Sequence, residues 1–475
     1  MVREGEIVSF NPYDESVVGS VQAALETDVR VAFEVAVNAQ KAWASIGFEK
    51  RCEVLRSYAA LLKEQAEDLA DLITRETGKP LWESRTEVQA MINKVEISID
   101  AHQARCGEFA KGIGVTRFHA LGVVGVLGPF NFPGHLPNGH IVPALLAGNA
   151  VLFKPSELTP LVGQFVVDRL HQSGVPEAIL QVLHGGAEIG RAIVALEGLR
   201  GLFFTGSSKA GLSIHKAMAG RPQTLLALEM GGNNPLVVDH VEDVGAASRL
   251  VCQSAFITAG QRCTCARRVL VPYGEWGDAF LERLRADVSM IEVGNPSGDQ
   301  QPYIGTVISA HAAEKVLHFE AGLIERGAHP ILPMKRVEDS KALLMPGLID
   351  VTGTVLTDEE CFGPLLQVQR YTSLGQAYEL CNQTAYGLAA GLLSDSAEVY
   401  AEFQQTVMAG IINWNSPLTG ASSASPFGGV GLSGNYRPSA YFAADYCSYP
   451  VASIEKAELP AQEALLGFPL SGESA

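Results

Sequence analysis

Nowhere in the 475 residues does an apolar run approach the ~20 residues that a helix needs to cross a bilayer. The amino terminus, MVREGEIVSFNPYDE, lacks the basic and then apolar pattern of a secretory signal. These absences predict a cytoplasmic chain with no membrane partner. Basic residues are a minority, 35 Lys and Arg against 52 Asp and Glu for a net charge of −17, which argues against a surface that neutralises nucleic-acid phosphates. The eight cysteines, at positions 52, 106, 252, 263, 265, 361, 381 and 447, are too sparse for a disulfide scaffold and read as reduced thiols. Neither C-x-x-C nor H-E-x-x-H occurs among them and the eleven histidines, so no metal site and no dithiol redox couple is expected. What is abundant is apolar residues, 47% of the chain, together with 48 glycines, the composition of a globular protein of two or three domains working on a small molecule.

Between Asp28 and Ala110 the apolar residues recur three and four apart, which predicts amphipathic helices, one of them stopped by Gly78. From Val123 the texture changes to short apolar runs. VVGVLG, AVLFKP, ILQVLHG, GLFFTG and TLLALEMGG read as buried strands, and the segments between the later ones read as helices. That alternation implies an α/β fold with a parallel, doubly wound sheet. A second alternating region follows, joined near Gly231 and Gly232, with strands RRVLVP, PLLQVQRY and GIINWN. The run YFAADYCSYPVASI is too isolated to form its own sheet and needs a partner strand, as from a neighbouring subunit. The tail EKAELPAQEALLGFPLSGESA is expected to be loosely ordered.

The one literal G-x-G-x-x-G, at Gly429, Gly431 and Gly434, fails its context, because no βαβ unit can follow it before the chain ends, and it reads as a turn-rich hinge. A better cofactor loop is FFTGSSKAG, Phe203 to Gly211, including Gly206 and Ser207, where a strand would hand over to a helix whose free N–H groups attract an anion. An ordinary serine-capped turn is the alternative. LFKPSE, at another strand end, offers Lys154 and Glu157 to ribose hydroxyls, with solvated surface charges as the bland reading. A carboxylate there would disfavour a 2′-phosphate and tilts the choice to NAD over NADP.

SAFITAGQRCTCARRV places Cys263 after a Gly-Gln-Arg turn and Cys265 two positions on. A nucleophilic thiolate requires a lowered pKa and partners arranged around it. Cys263 has the loop setting for it; Cys252 and Cys265 read as packing. A buried thiol remains the alternative at Cys263.

FITAGQRCTCARR resembles the active-site signature of the aldehyde dehydrogenase superfamily, and LALEMGGNNP resembles its E-L-G-G segment with Met230 in place of leucine. GPFNFP, KPSE, FTGS, EECFGP and SPFGG resemble further motifs of that family, in its order. The resemblance implies an aldehyde dehydrogenase fold: a Rossmann-like NAD-binding domain in residues 1–102 and 121–231, an α/β catalytic domain in 232–432, and a small β oligomerisation element with a tail in 103–120 and 433–475. It implies NAD-dependent oxidation with Cys263 as nucleophile, Glu229, thirty-four positions earlier, as general base, and Asn131 in the oxyanion hole. Lys154, Glu157, Gly206, Ser207, Gly211, Glu360 and Phe362 would hold the cofactor. The segments RETGKPLWESRTEVQAMINK and SGNYRPSAYFAADYC, among others, narrow the resemblance to dehydrogenases of N-succinylated glutamate semialdehyde in arginine catabolism, with glutamate or succinate semialdehyde as the alternative substrate. For so long and anionic an aldehyde, Arg262, Thr264, Gly420, Ala421 and Lys94 are the expected contacts. A homodimer or homotetramer is expected, and the leading strand pair usual in the family is not evident ahead of NPYDESVVGSV.

Overall fold

The 3.6-residue spacing near the amino terminus folds as four helices, Glu26–Ser45, Phe48–Glu64, Ala66–Thr77 and Leu81–Cys106, in a computed structural model that describes residues 5–459 and residue 466. The third helix stops at Gly78, which takes a left-handed φ of 74°. A Cβ there would stand 1.8 Å from the Thr306 hydroxyl, so the stop also lets a distant segment pack close. These helices bury Leu55, Tyr58, Leu69, Ile73 and Met91 in one core with the first sheet.

That sheet has five parallel strands in the spatial order Leu180–Val182, Ala150–Lys154, Val123–Leu127, Gly201–Gly206, Leu225–Met230. The central strands are buried from end to end, which is why they read as unbroken apolar runs. Chain order reverses between Val123–Leu127 and Gly201–Gly206, and such a switch point opens a crevice at the carboxyl ends of the strands.

The second sheet has seven strands, in the order His329–Leu332, Gly347–Asp350, Leu365–Tyr371, Ala266–Pro272, Asn234–Val238, Ala389–Leu393, Ile411–Trp414. All its pairs are parallel except the antiparallel first. It has separate cores on its faces, one around Phe256, Phe280 and Leu348, the other around Tyr378 and Phe403.

Two expectations are corrected. A leading strand pair is present, Glu6–Phe10 against Val17–Gln22, hidden in the sequence because its residues are half exposed and its turn is the polar NPYDES. The carboxy-terminal run finds its partner inside the same chain: Ser448–Ile454 pairs antiparallel with Gly114–Ala120, which pairs with Phe109–Lys111. Its first half, Ala443–Tyr446, is a helical turn packed on Leu81–Cys106. Of the tail, residues 460–465 and 467–475 lie outside the described residues. No helix of the described residues is long and apolar enough to cross a membrane, and no group of three or more His, Cys, Asp or Glu among them is placed to hold a metal.

Candidate active site

A cavity of about 250 Å³ is lined by Asn131, Glu229 and Cys263 together. Each comes from a different piece of chain. Asn131 follows the strand Val123–Leu127, Glu229 lies near the end of Leu225–Met230, and Cys263 sits on the loop that enters Ala266–Pro272 of the other sheet.

The cysteine loop is shaped by an uncommon turn. Thr258, Ala259 and Gly260 take φ of 58°, 51° and 72° in succession. For the two non-glycine residues the left-handed region costs roughly 1–2 kcal/mol each, so the surroundings must hold the turn in place. At Gly260 a Cβ would lie 2.1 Å from the Gly363 carbonyl oxygen, which ties the GQRC turn to the EECFGP segment. Four carbonyls of the loop are engaged by side chains: Arg267 Nη1 donates to Gly260 O at 2.5 Å, Asn131 Nδ2 to Gln261 O at 2.8 Å, and Asn234 Nδ2 to Cys263 O at 2.7 Å and Cys265 O at 2.8 Å. The Cys263 N–H has no hydrogen-bond partner among the described residues. Asn131 keeps a second amide hydrogen with no partner among the described residues, so it and the Cys263 N–H are two free donors in this loop region.

Glu229 is 4% exposed, and neither carboxylate oxygen has a hydrogen-bond partner of normal geometry among the described residues. Burial pushes its pKa up to about 7, with Ser439 and the charge of Lys94 offsetting part of the rise. Lys94 is itself 1% exposed, donates to Ala440 O at 2.6 Å, and is brought down to about 8 by burial. The expectation of a lowered thiol pKa at Cys263 is not met. Burial first, then the carboxylates of Glu229 and Glu360, push the thiol up, and Arg267 offsets only part. Cys265 is fully buried, as read from the sequence.

The cofactor candidates gather at the switch point. Lys154 ends its strand, and its ammonium donates to Pro155 O and Gly185 O at 2.8 Å each, 3.4 Å from the half-exposed Glu157 carboxylate. Gly206 ends the strand Gly201–Gly206, on the far side of Val123–Leu127, and Ser207 caps the helix Ser208–Ala217 by accepting from Ala210 N. The free N–H groups of that first turn are of the kind that attract an anion. A Cβ on Gly211 would stand 2.3 Å from Met230 Sδ, so glycine lets this helix lie close on the sheet. From the other unit, Glu360 pairs with the buried Arg267 at 2.9 Å, and Phe362 meets Phe130 edge-on at 6.0 Å. A carboxylate for ribose, a helix terminus for phosphates and a ring beside the Asn131 loop fit a nicotinamide dinucleotide.

Of the proposed substrate contacts, Lys94, Arg262, Thr264, Gly420 and Ala421 all line the cavity. Arg262 is less free than expected: Nη2 donates to Glu83 at 2.8 Å and Nε to the Thr258 hydroxyl at 2.7 Å. Several residues of the site went unread in the sequence. Glu87 accepts from the N–H groups of Gly134 and His135 at 3.0 Å and from the buried Lys79. Lys79 and Arg262 stand over the Phe132 ring at 4.0 and 5.0 Å. His135 lines the cavity and is held neutral, its pKa brought down to about 4 by burial and by Lys94, Lys79 and Arg262. The one sequence signal was the pair Glu83 and Glu87 at i and i+4, like charges that repel on a solvated helix face unless each has its own cation.

A model of the aldehyde dehydrogenase family matches residues 2–449. The N-succinylglutamate 5-semialdehyde dehydrogenase of Chromobacterium violaceum is 52% identical to this chain over 469 residues, covering 97% of the chain and 96% of that protein. Among solved structures, 1-pyrroline-5-carboxylate dehydrogenase from Thermus with bound NAD superposes with a TM-score of 0.89 at 28% identity, over 95% of this chain and 91% of that one. Aldehyde dehydrogenase 21 from Physcomitrella patens, in complex with the reaction product succinate, superposes with a TM-score of 0.88 at 26% identity, over 95% of both chains. Motifs, fold and full-length similarity agree, and the chain belongs to the aldehyde dehydrogenase family.

Proposed function

We propose that this chain oxidises N-succinyl-L-glutamate 5-semialdehyde to N-succinyl-L-glutamate with NAD, in arginine catabolism. The observation that carries the substrate is the 52% identity over nearly the whole of both chains to an enzyme bearing that activity in its name. Cys263 as thiolate adds to the aldehyde carbonyl, and the Asn131 amide and the Cys263 N–H receive the oxyanion of the thiohemiacetal. When bound, a nicotinamide dinucleotide would supply the hydride acceptor that turns the thiohemiacetal into the thioester, and its positive charge would favour the Cys263 thiolate against burial. Lys154 and Glu157 would take the adenosine ribose, Gly206, Ser207 and Gly211 the pyrophosphate turn, and Glu360 with Phe362 the nicotinamide end. Glu229 then accepts a proton from the water that attacks the Cys263 thioester, and the acid leaves. Its pKa of about 7 suits a base that works near neutrality.

The cavity matches a long, polar aldehyde. Nothing lies within 4 Å of where a Cβ on Gly139 would point, and Thr86, His135, Ser422 and Ser423 line the walls with Lys94 and Arg262. In this account residues 1–102 and 121–231 form the nucleotide unit, 232–432 the catalytic unit, and 103–120 with 433–475 the subunit contact of a homodimer or homotetramer. The strand Ser448–Ile454 supports that contact, lying at a sheet edge with Tyr449 and Ile454 exposed. NADH release measured with N-succinylglutamate, glutamate and succinate semialdehydes tests the substrate. A kcat/KM highest for the N-succinylated compound is expected; equal or reversed preference would leave a broader semialdehyde dehydrogenase.

A further inference from the structure

The helix Leu81–Cys106 lies with the first sheet's core, whereas the nucleophile loop feeds the second sheet, yet a side chain from its first turn reaches under that loop. Glu83 is fully buried. Its Oε1 accepts from the Thr258 hydroxyl and, at 2.8 Å, from Arg262 Nη2, while Arg262 Nε donates to the same hydroxyl at 2.7 Å. The three groups close a triangle. Two of its corners bracket the left-handed turn at Thr258, Ala259 and Gly260, and the Arg262 corner is the residue next to Cys263. Thr258 O also accepts from Gln261 N at 2.9 Å, and Gln261 O accepts from the Asn131 amide at 2.8 Å. Displacement at Thr258 is therefore passed to both the nucleophile and the oxyanion donor. One turn further along the helix, Glu87 fixes the loop after Asn131 through two backbone N–H groups.

We propose that Glu83 is a positioning residue, holding the strained Thr258 turn and Arg262 so that Cys263 and Asn131 meet in reactive geometry. The proposal rests on Cys263 being the nucleophile. It also assigns Arg262 to the loop's support rather than to a carboxylate of the substrate. Glu83 touches neither substrate nor cofactor, so its effect falls on alignment, where a displacement of about 1 Å costs roughly 100-fold in rate.

The test uses the full-length protein and the variants Glu83→Gln, Thr258→Val and Thr258→Ser. Each is measured for kcat and KM in NAD-dependent oxidation, for the rate of Cys263 alkylation by iodoacetamide across pH, and for thermal unfolding. Glu83→Gln keeps the shape and removes the charge that Arg262 answers; Thr258→Val keeps the branched shape and removes the hydroxyl. Both are expected to lose kcat by roughly 10- to 100-fold with KM changed less than about threefold, to alter the pH profile of Cys263 alkylation, and to unfold near the wild-type temperature. Thr258→Ser restores the hydroxyl and is expected to recover most of kcat. If Glu83→Gln does not fold, the two Thr258 variants decide. Wild-type kcat and alkylation in Thr258→Val would overturn the proposal, as would a raised KM at constant kcat in Glu83→Gln. Cys263→Ala separates the two ideas: if that variant still oxidises the aldehyde, the nucleophile assignment itself fails, whereas an inactive Cys263→Ala beside a normal Glu83→Gln removes only the role given to Glu83.

Discussion

Glu229 and Cys263 face one cavity, and the carboxylate's negative charge helps hold the thiol protonated. The variant Glu229→Gln therefore has two opposite effects. It lowers the Cys263 pKa, so iodoacetamide alkylation extends to lower pH. It also removes the proposed base for thioester hydrolysis, so steady-state turnover is expected to fall about 10²- to 10⁴-fold while the first equivalent of NADH per site is still released.

As the proposed base, a Glu229 carboxylate raised to about 7 is expected to set the acid limb of the rate profile. Turnover limited by hydrolysis rises with pH through about 7 as Glu229 becomes the free base. The same shift acts on stability with a definite sign. Between the ordinary value of 4.5 and about 7 the folded protein binds more protons at Glu229 than the unfolded chain, so stability falls as pH rises across that window. Glu76, also raised to about 7 by burial, acts in the same direction. Melting temperatures between pH 5 and 8 are expected to drop less for Glu229→Gln than for the wild type.

Lys94 favours the charged form of Glu229. Replacing it in Lys94→Met raises the Glu229 pKa further and moves the acid limb of kcat to higher pH. If Lys94 also faces a substrate carboxylate, KM for the anionic aldehyde rises too, and stopped-flow NADH release over pH 6–9 reads both effects.

Gly231 is predicted to be irreplaceable for the hold on the cofactor. A Cβ there would stand 1.7 Å from Glu360 Oε2, so Gly231→Ala must displace the carboxylate that pairs with Arg267. Overpacking of this kind costs about 1–3 kcal/mol. The expected outcome is a lower melting temperature and a raised KM for NAD, measured by calorimetry and by cofactor titration.

Much of this site was legible through resemblance, because the segments around Asn131, Glu229 and Cys263 are short contiguous strings that resemble a family's motifs; the residues alone left a buried thiol as the alternative at Cys263. The buried parallel strands were legible directly, as apolar runs. What was not legible depends on contacts distant in the chain. Glu83 and Thr258 are 175 residues apart, and neither carries a motif that names the other. The left-handed turn at Thr258 and Ala259 uses residues that disfavour that conformation, so no propensity announces it. The partner of Ser448–Ile454 lies at Gly114–Ala120, far back in the chain, and an isolated run gives no sign of which strand will cover it. The thiol pKa depends on buried carboxylates that only the fold assembles, so the loop setting of Cys263 did not announce that burial and Glu229 raise it.

The proposed chemistry turns on a covalent thioester on Cys263 that Glu229 clears. Mass spectrometry of Glu229→Gln, quenched in acid after mixing with NAD and N-succinylglutamate 5-semialdehyde, tests it most directly. One N-succinylglutamyl group per chain is expected, on the peptide bearing Cys263 and assigned by fragmentation to that residue and not to Cys265. Product formation with no adduct, or an adduct on another residue, would contradict it.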